Sequence, residues 1–293
     1  MKKINLFFII LLFFLSLLLA GCIPGGQQKG PLEVDYHTGI SGLEMSFVKN
    51  LPPSEVWEGA DFTISVELKN IGAHDIEKGM LSITNILEDY VYISDKEVPF
   101  RIRGRGIEYP DGGYGVINFN LKNKAMPEGK KEFDLPFRII AEYDYTTEAT
   151  AQVCISPWIY TYQENKEAAC KPGTIEFKSG QGAPVTVTKI EQITRPYGDY
   201  EIEMGFKITV GNQGDGDILE NVEVEDVALN YNYLSCVPSS FKIEKGKSES
   251  FTCSIVMNKE EGAYLSPLMI RLNYNYVEYL DKKVKIKKLE ALE

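Results

Sequence analysis

The chain has 293 residues, of which 31 are basic and 42 acidic, giving a formal charge of −11 at pH 7. This charge repels a phosphate backbone, so nucleic acid is excluded as an expected partner. A hydrophobic content of 44% excludes wholesale disorder. The only two histidines, His37 and His74, leave little scope for acid–base or metal chemistry, so we expect no cofactor and no bound metal.

The first 22 residues have the pattern of an export signal. A basic start, Met1-Lys2-Lys3, precedes an apolar run over residues 4–19 and a small-residue exit. The sequence Leu19-Ala20-Gly21-Cys22 resembles the lipobox of prokaryotic lipoproteins. The resemblance implies that residues 1–21 are a lipoprotein signal peptide and that the Cys22 thiol is lipidated. The mature protein would then face the extracytoplasmic side of the cell membrane.

An uncleaved transmembrane anchor is the alternative, although the apolar run is shorter than the about 20 residues of a spanning helix. Residues 22–39 follow as a predicted flexible tether. They contain Pro24, Pro31 and several glycines but little that could be buried.

Beyond the tether the sequence predicts an all-β protein. Residues 61–69 alternate apolar and polar side chains for four periods, which is typical of a half-buried strand. Residues 81–83, 116–121 and 133–137 continue this alternation. Short strands separated by Gly, Asn and Pro indicate β-sandwiches or barrels.

The chain repeats three landmarks in the same order, which indicates a tandem duplication. Residues 66–72 match 206–214, residues 127–133 match 243–251, and residues 139–145 match 270–276. In the first pair, a strand ends in Asn-x-Gly, whose Asn and Gly favour left-handed turn conformations. We therefore predict one domain over 40–155, a connector over 156–182 and a second domain over 183–290.

A strand that alternates and runs into Asn-x-Gly resembles the CARDB-type immunoglobulin-like domain of prokaryotic surface proteins. This resemblance implies two tandem seven-stranded β-sandwiches that act as spacers or binding modules and not as enzymes. The chain departs from that family in its cysteine pairs and in a long insert near residues 101–115.

If Cys22 carries lipid, four cysteines remain to pair outside the cytosol. They allow three connectivities, and sequence proximity favours Cys154–Cys170 and Cys236–Cys253. Each bond would stabilise the fold by roughly 3 kcal/mol. Free buried thiols are the alternative, whereas no cysteine pair has the short spacing of a zinc site.

The insert contains Arg101, Arg103 and Arg105 on a Gly-rich stretch. Three guanidinium groups could bind an anionic sugar or lipid headgroup. We favour the plainer interpretation, a long hairpin with its turn at Asp111-Gly112-Gly113 and the arginines facing solvent.

Three further stretches also have two interpretations. The aromatic side chains Trp158, Tyr160 and Tyr162 would share one face of a strand, either as a platform for a glycan or peptide or, as we favour, buried between the domains. Residues 214–217 are an acidic turn rather than a calcium loop. The lysines at 282, 283, 285, 287 and 288 are expected to guard an edge strand rather than to attract anionic lipid.

The sequence contains no recognisable catalytic constellation, so we expect no enzyme. The favoured function is a lipid-anchored, non-catalytic structural, adhesive or assembly module at the cell surface. A surface ligand-binding module for glycan or peptide is the first alternative, and a carboxylate-based hydrolase is the second. The expected partners are the membrane, through Cys22, and another envelope protein or a surface glycan.

Overall fold

The computed structural model describes residues 35–124, 126, 129–156, 169–258 and 263–289. These residues form eighteen β-strands and no helix, which confirms the all-β class; none of them belongs to a helix able to cross a membrane. In chain order the strands are β1 Leu43–Phe47, β2 Glu55–Trp57, β3 Asp61–Asn70, β4 Ile76–Thr84, β5 Val91–Ile93, β6 Glu97–Ile102, β7 Tyr114–Asn123, β8 Glu132–Ile155, β9 Thr174–Glu176, β10 Val185–Tyr197, β11 Glu201–Asn212, β12 Asp217–Ile218, β13 Val222–Leu229, β14 Asn232–Tyr233, β15 Ser235–Val237, β16 Ser240–Phe241, β17 Ser248–Asn258 and β18 Tyr264–Lys287.

Alternating side chains explain why these segments are strands. In β8 every odd-numbered residue from Leu135 to Ile155 is buried. The even-numbered residues of the same strand are exposed or half-buried, with the exception of Cys154. A period of two places these two sets on opposite faces of a sheet, so one face of β8 lines the core along its whole length.

The strands form three sheets. The first sheet has the order β1-β3-β7-β5, and the second sheet has the order β9-β10-β11-β17-β15. The central sheet has nine strands, with β6-β4-β8-β18-β13-β14 as its main path and with β2 and β12 paired to β18 and β16 paired to β13.

The central sheet is organised around an antiparallel ladder between β8 and β18. It runs without interruption from Glu132 opposite Lys287 to Ile155 opposite Tyr264. The last residues of β18 also pair in parallel with β2, which lies more than two hundred positions earlier in the chain. Both repeated stretches therefore contribute strands to a single sheet.

Core side chains join the outer sheets to the central sheet. The rings of Phe47 in β1 and Phe137 in β8 are 5.8 Å apart. In the other half, Phe241 of β16 stacks on Phe251 of β17 with ring centroids 5.5 Å apart. The first sheet thus covers one half of the central sheet and the second sheet covers the other half, as in a β-sandwich.

The two outer sheets show which landmarks of the repeat are equivalent. The order β1-β3-β7-β5 recurs as β10-β11-β17-β15, so the two Asn-x-Gly motifs end equivalent strands, β3 and β11. The match between residues 127–133 and 243–251 is wrong, because the first segment leads into β8 of the central sheet and the second leads into β17 of the second sheet. Similar turn chemistry before two strands does not make the strands equivalent.

The predicted hairpin at residues 101–115 is also wrong. Strand β6 pairs with β4 in the central sheet, whereas β7 pairs with β3 and β5 in the first sheet. The insert therefore crosses from one sheet to the other. Its turn begins at Tyr109, whose carbonyl accepts the Gly112 N–H at 3.0 Å.

The C-terminal lysines do not guard a free edge, because β18 pairs with β8 throughout this region and with β2 at its end. On the outer face, Lys283 is 2.6 Å from Asp134, and Lys285 is 3.3 Å from Glu132. Acidic residues on the neighbouring strand thus pair with lysines that the sequence alone suggests are free to bind lipid.

The four described cysteines pair as the sequence predicted. The sulfur atoms of Cys154 and Cys170 are 2.05 Å apart. Those of Cys236 and Cys253 are 2.03 Å apart, and this bond joins directly opposed residues of β15 and β17. Cys22, the signal and the side chains of Trp158, Tyr160 and Tyr162 lie outside the described residues, so the lipidation and aromatic-platform predictions remain predictions, as do the domain boundaries.

Candidate functional site

The centre of the β8–β18 ladder carries a cluster of four buried tyrosines. Tyr143 lies opposite Tyr276, and Tyr145 lies opposite Tyr274, so the four rings form one group on the inner face of the central sheet. Neighbouring ring centroids are 5.7 to 6.2 Å apart, within the range of favourable aromatic pairs. We call these four residues the tyrosine cluster. It lies where the halves covered by the first and second sheets meet.

The hydroxyl of Tyr145 binds the end of β3. It lies 3.4 Å from Oδ1 of Asn70, donates to the Gly182 carbonyl at 3.2 Å and accepts the His74 N–H at 3.3 Å. The Asn70 side chain accepts the Gly72 N–H at 3.1 Å, and its amide donates to the carbonyls of His74 and Ile102. A fully buried Asn is thereby satisfied on both sides, as buried polar groups require.

Tyr276 repeats this arrangement at the end of β11. Its hydroxyl donates to Oδ1 of Asn212 at 3.1 Å and accepts the Gly216 N–H at 2.8 Å. The Asn212 amide in turn donates to the Gly216 carbonyl at 3.2 Å. Each Asn-x-Gly motif is therefore connected to the central sheet by one tyrosine.

The glycines of these motifs are required by close approach and not by a left-handed backbone. Neither Gly72 nor Gly214 has a positive φ, which corrects the turn argument made from the sequence. A Cβ at Gly72 would lie 1.9 Å from the Tyr145 hydroxyl, and one at Gly214 would lie 2.5 Å from the Tyr276 hydroxyl. Only glycine lets the tyrosine oxygens reach their partners.

One acidic side chain shares the inner face with the tyrosines. Glu278 accepts a hydrogen bond of 2.6 Å from the Tyr143 hydroxyl. Burial raises the pKa of Glu278 to about 7, and the charge of Asp215 works in the same direction, whereas the Tyr143 hydrogen bond opposes it. Burial also raises the pKa of all four tyrosines, so their hydroxyls stay protonated and act as hydrogen-bonding groups rather than as bases.

The last residues of the predicted tether, 36–39, are not a free spacer but are held beside this cluster. Arg105 donates from one guanidinium nitrogen to the Tyr36 carbonyl at 2.9 Å and to the Thr38 carbonyl. The Gly39 N–H bonds to the Ser179 carbonyl at 2.6 Å, and the Gly39 carbonyl accepts the Gly182 N–H at 2.8 Å. We call Arg105 with Tyr36 and Thr38 the arginine clamp. It fixes the start of the folded chain next to the junction of the two halves.

The three arginines of the alternative anion-site interpretation are not brought together. Arg105 is used in the clamp, and Arg103 bonds Asp75 at 2.5 Å. Burial works to raise the pKa of Asp75, but hydrogen bonds from the Gly104 N–H and Arg103 hold it below its ordinary value. Only Arg101 faces an open groove.

That groove lies on the outer face of the central sheet and has a volume of about 610 Å³. Its lining combines Phe100 and Met80 with the cations Lys78 and Arg101 and the carboxylates Glu142 and Asp144. Among the described residues neither cation has an ion-pair partner within 4 Å. With Glu77 the groove carries three carboxylates against two cations, and Phe100 at its side is largely buried.

Residues 214–217 wrap around Tyr276 through the Gly216 N–H, and the Asp215 carbonyl accepts a hydrogen bond from Lys245. No group of three or more His, Cys, Asp or Glu side chains in the described part of the chain is placed to hold a metal ion. The segment is thus used as a turn against the cluster.

Sequence reasoning missed Glu278 and the role of Arg105. Glu278 was detectable, because it continues the even-numbered set that contains Tyr274 and Tyr276 and must share their face. The clamp was not detectable, because it joins residues 67 and 69 positions apart by backbone carbonyls, which carry no sequence signal.

No protein-family model matches the chain, and no curated protein matches it. Among solved structures, the chain is similar to the YadV chaperone, whose crystal structure has 9% sequence identity and a TM-score of 0.20. The match covers 83% of this chain and 99% of that one. A likeness at this level supports no argument about function.

Proposed function

We propose that this protein is an exported, lipid-anchored, non-catalytic module that serves a structural, adhesive or assembly role at the cell surface. In this proposal two immunoglobulin-like β-sandwiches in tandem, similar to CARDB-type domains, form its body. The observation that carries the proposal is the unbroken ladder between β8 and β18, which belongs to both halves.

This ladder makes the body suited to hold a position rather than to close around a substrate. Two domains joined by a short linker move relative to each other by default. Here, bending at the junction would break cross-strand hydrogen bonds and separate the tyrosine cluster. A rigid arm is what a spacer or an assembly module needs in order to present a surface at a fixed place.

The cysteine pairs support an extracytoplasmic address. Disulfides persist in oxidising compartments and are rare in the cytosol. Both bonded pairs join residues that are 16 or 17 positions apart, so each closes a local loop within one half.

Mass spectrometry of the protein purified from its native membrane tests the proposal. We expect the N-terminal peptide to begin at Cys22 and to carry a diacylglyceryl group. The variant Cys22→Ser is expected to leave the membrane fraction, while Cys170→Ser, a matched cysteine control, stays there. An N-terminal peptide that still begins at Met1 and contains an unmodified Cys22 would contradict the lipid anchor.

Ligand binding is the second candidate function, and the groove at Arg101 is the observation that favours it. Its two cations and three carboxylates suit a ligand that carries both charges, such as a peptide, whose carboxylate a guanidinium can bind through two hydrogen bonds. Titration with the tripeptide Lys-Ala-Glu, followed by thermal shift, tests this. Arg101→Gln should abolish the shift and Arg195→Gln, on β10, should not; the absence of any shift with the native protein would reject this ligand class.

A further inference from the structure

The loop between β6 and β7 carries the most exposed large apolar side chain of the described residues. Ile107 is 89% exposed, and Tyr109 is 47% exposed. The Gly106 N–H donates to the Tyr109 carbonyl at 3.1 Å, which closes a turn with Ile107 at its outer end. We call residues 106–109 the loop tip. An apolar side chain this exposed gains almost nothing from folding, so its burial against another surface would be favourable.

The loop tip is fixed firmly to the body. The Arg105 N–H donates to the Gly72 carbonyl at 2.7 Å, and the Gly113 N–H donates to the Arg103 carbonyl at 2.8 Å. Gly112 approaches the end of β3 so closely that a Cβ there would lie 1.7 Å from the Asn70 carbonyl oxygen. Ile107 is therefore held by a loop whose ends are fixed by backbone hydrogen bonds.

The same loop holds the segment that comes from Cys22. Arg105, two positions before Ile107, forms the arginine clamp with Tyr36 and Thr38. Only residues 23–35 separate Cys22 from the clamp, and a chain of this length spans at most about 50 Å. A lipid on Cys22 would keep the clamp within that distance of the bilayer, and the loop tip begins one residue after Arg105 of the clamp.

We propose that the loop tip docks into the lipid surface, with Ile107 among the acyl chains and Glu108 and Tyr109 at the headgroup level. This inference rests on the proposed lipid anchor. Tyr suits the membrane interface because its ring is apolar and its hydroxyl is polar. The anchor supplies attachment, while the loop tip selects which side of the rigid body faces the membrane.

Quenching by brominated phospholipid tests the docking. Full-length mature protein is reconstituted in vesicles of phosphatidylethanolamine and phosphatidylglycerol with brominated acyl chains. Ile107→Trp adds a fluorophore at the loop tip, and the signal of the native protein, which contains Trp57 and Trp158, is subtracted. We expect the added fluorescence to be lost in brominated vesicles and retained in unbrominated ones.

Tyr231→Trp is the matched control. Tyr231 is 88% exposed and lies on the turn between β13 and β14. The preceding Asn230 bonds Pro267, seven positions along β18 from Tyr274 and hence about 23 Å from the tyrosine cluster. Its added fluorescence should not be quenched.

Flotation of the same vesicles separates the two ways in which the idea can fail. If the native protein does not float with vesicles, or if Cys22→Ser floats equally well, the lipid anchor is rejected and the docking with it. If the native protein floats but Ile107→Trp is unquenched, or both positions are quenched equally, the docking alone is rejected. Concentration-dependent dimers that Ile107→Asp abolishes would assign the loop tip to a second copy instead.

Discussion

At the scale of single residues, two tyrosine hydroxyls organise the ends of two equivalent strands. Tyr145 and Tyr276 each reach an Asn-x-Gly motif through a glycine that leaves room for the oxygen. The Tyr145 hydroxyl accepts the His74 N–H, and the Tyr276 hydroxyl accepts the Gly216 N–H and donates to Asn212. Leaving such a group buried without a partner would cost about 1 to 3 kcal/mol.

Gly72→Ala and Gly214→Ala are each expected to destabilise the protein by about 2 to 3 kcal/mol, because the added methyl group would displace a tyrosine hydroxyl from its partners. Chemical denaturation measures the loss. Gly173→Ala is the control, since nothing lies within 4 Å of a Cβ there. An equally small effect at all three positions would contradict the close-approach argument.

Glu278→Gln should remove a pH dependence of stability. The pKa of Glu278 is raised from 4.5 to about 7, so between these values the folded protein holds a proton that the unfolded chain has released. Stability from this group is complete below pH 4.5 and falls as pH rises through 7, by about 3 kcal/mol in all.

Glutamine retains the acceptor for Tyr143 and does not titrate. The free energy of unfolding of the native protein should therefore fall relative to that of Glu278→Gln between pH 4.5 and pH 8, as measured by urea denaturation at several pH values. Parallel pH profiles for the two proteins would show that Glu278 is not held in its neutral form.

At the scale of elements, β18 serves both halves of the molecule. Its first part pairs with β13, and its last part pairs with β2 and with the beginning of β8. Val284 and Ile286, near its end, are fully buried under the half that contains β2. The C-terminal residues of the chain thus complete the core of the N-terminal half.

Deleting residues 282–293 should therefore destabilise the half that contains the first sheet. Loss of two buried side chains alone is worth about 3 to 6 kcal/mol. Amide hydrogen exchange is expected to become faster in β2, in β3 and in the first part of β8. A control deletion of residues 289–293 should leave these rates unchanged; faster exchange confined to the second sheet would contradict the observed pairing.

At the scale of the whole molecule, Tyr36–Glu293 form one compact unit. The β8–β18 ladder and the tyrosine cluster couple the two halves. Because β8 and β18 each run through both halves, unfolding of one half would break strand pairing that the other half shares. The stabilities of the two halves are therefore linked.

We expect this coupling to give a single unfolding transition with the disulfides intact. Calorimetric and van't Hoff enthalpies should agree, as for a two-state protein. Two resolved transitions in differential scanning calorimetry would show instead that the halves unfold independently, as separate tandem domains do.

Patterns along the chain predicted part of the functional region. The Asn-x-Gly motifs and the paired tyrosines were recognisable as repeats, and the spacing of the cysteines favoured the pairing that the structure shows. The roles of Arg103 and Arg105 could not be predicted from the insert. The loop crosses from one sheet to another, so two identical side chains two positions apart meet different partners, Asp75 and Tyr36. Glu278 could be assigned to the inner face because its position is even-numbered, like those of Tyr274 and Tyr276. The charged residues around it, however, suggest a strand exposed to solvent.

The sequence by itself determined the strand content and favoured the observed cysteine pairs, because alternation and short spacing are local properties of a chain. It also supports the expectation of a lipid anchor at Cys22. Only the tertiary structure decided that β8 and β18 unite both halves in one sheet, that four tyrosines meet at its centre and that Arg105 holds the incoming chain. These features depend on register between residues more than sixty positions apart, which only packing of the whole core selects.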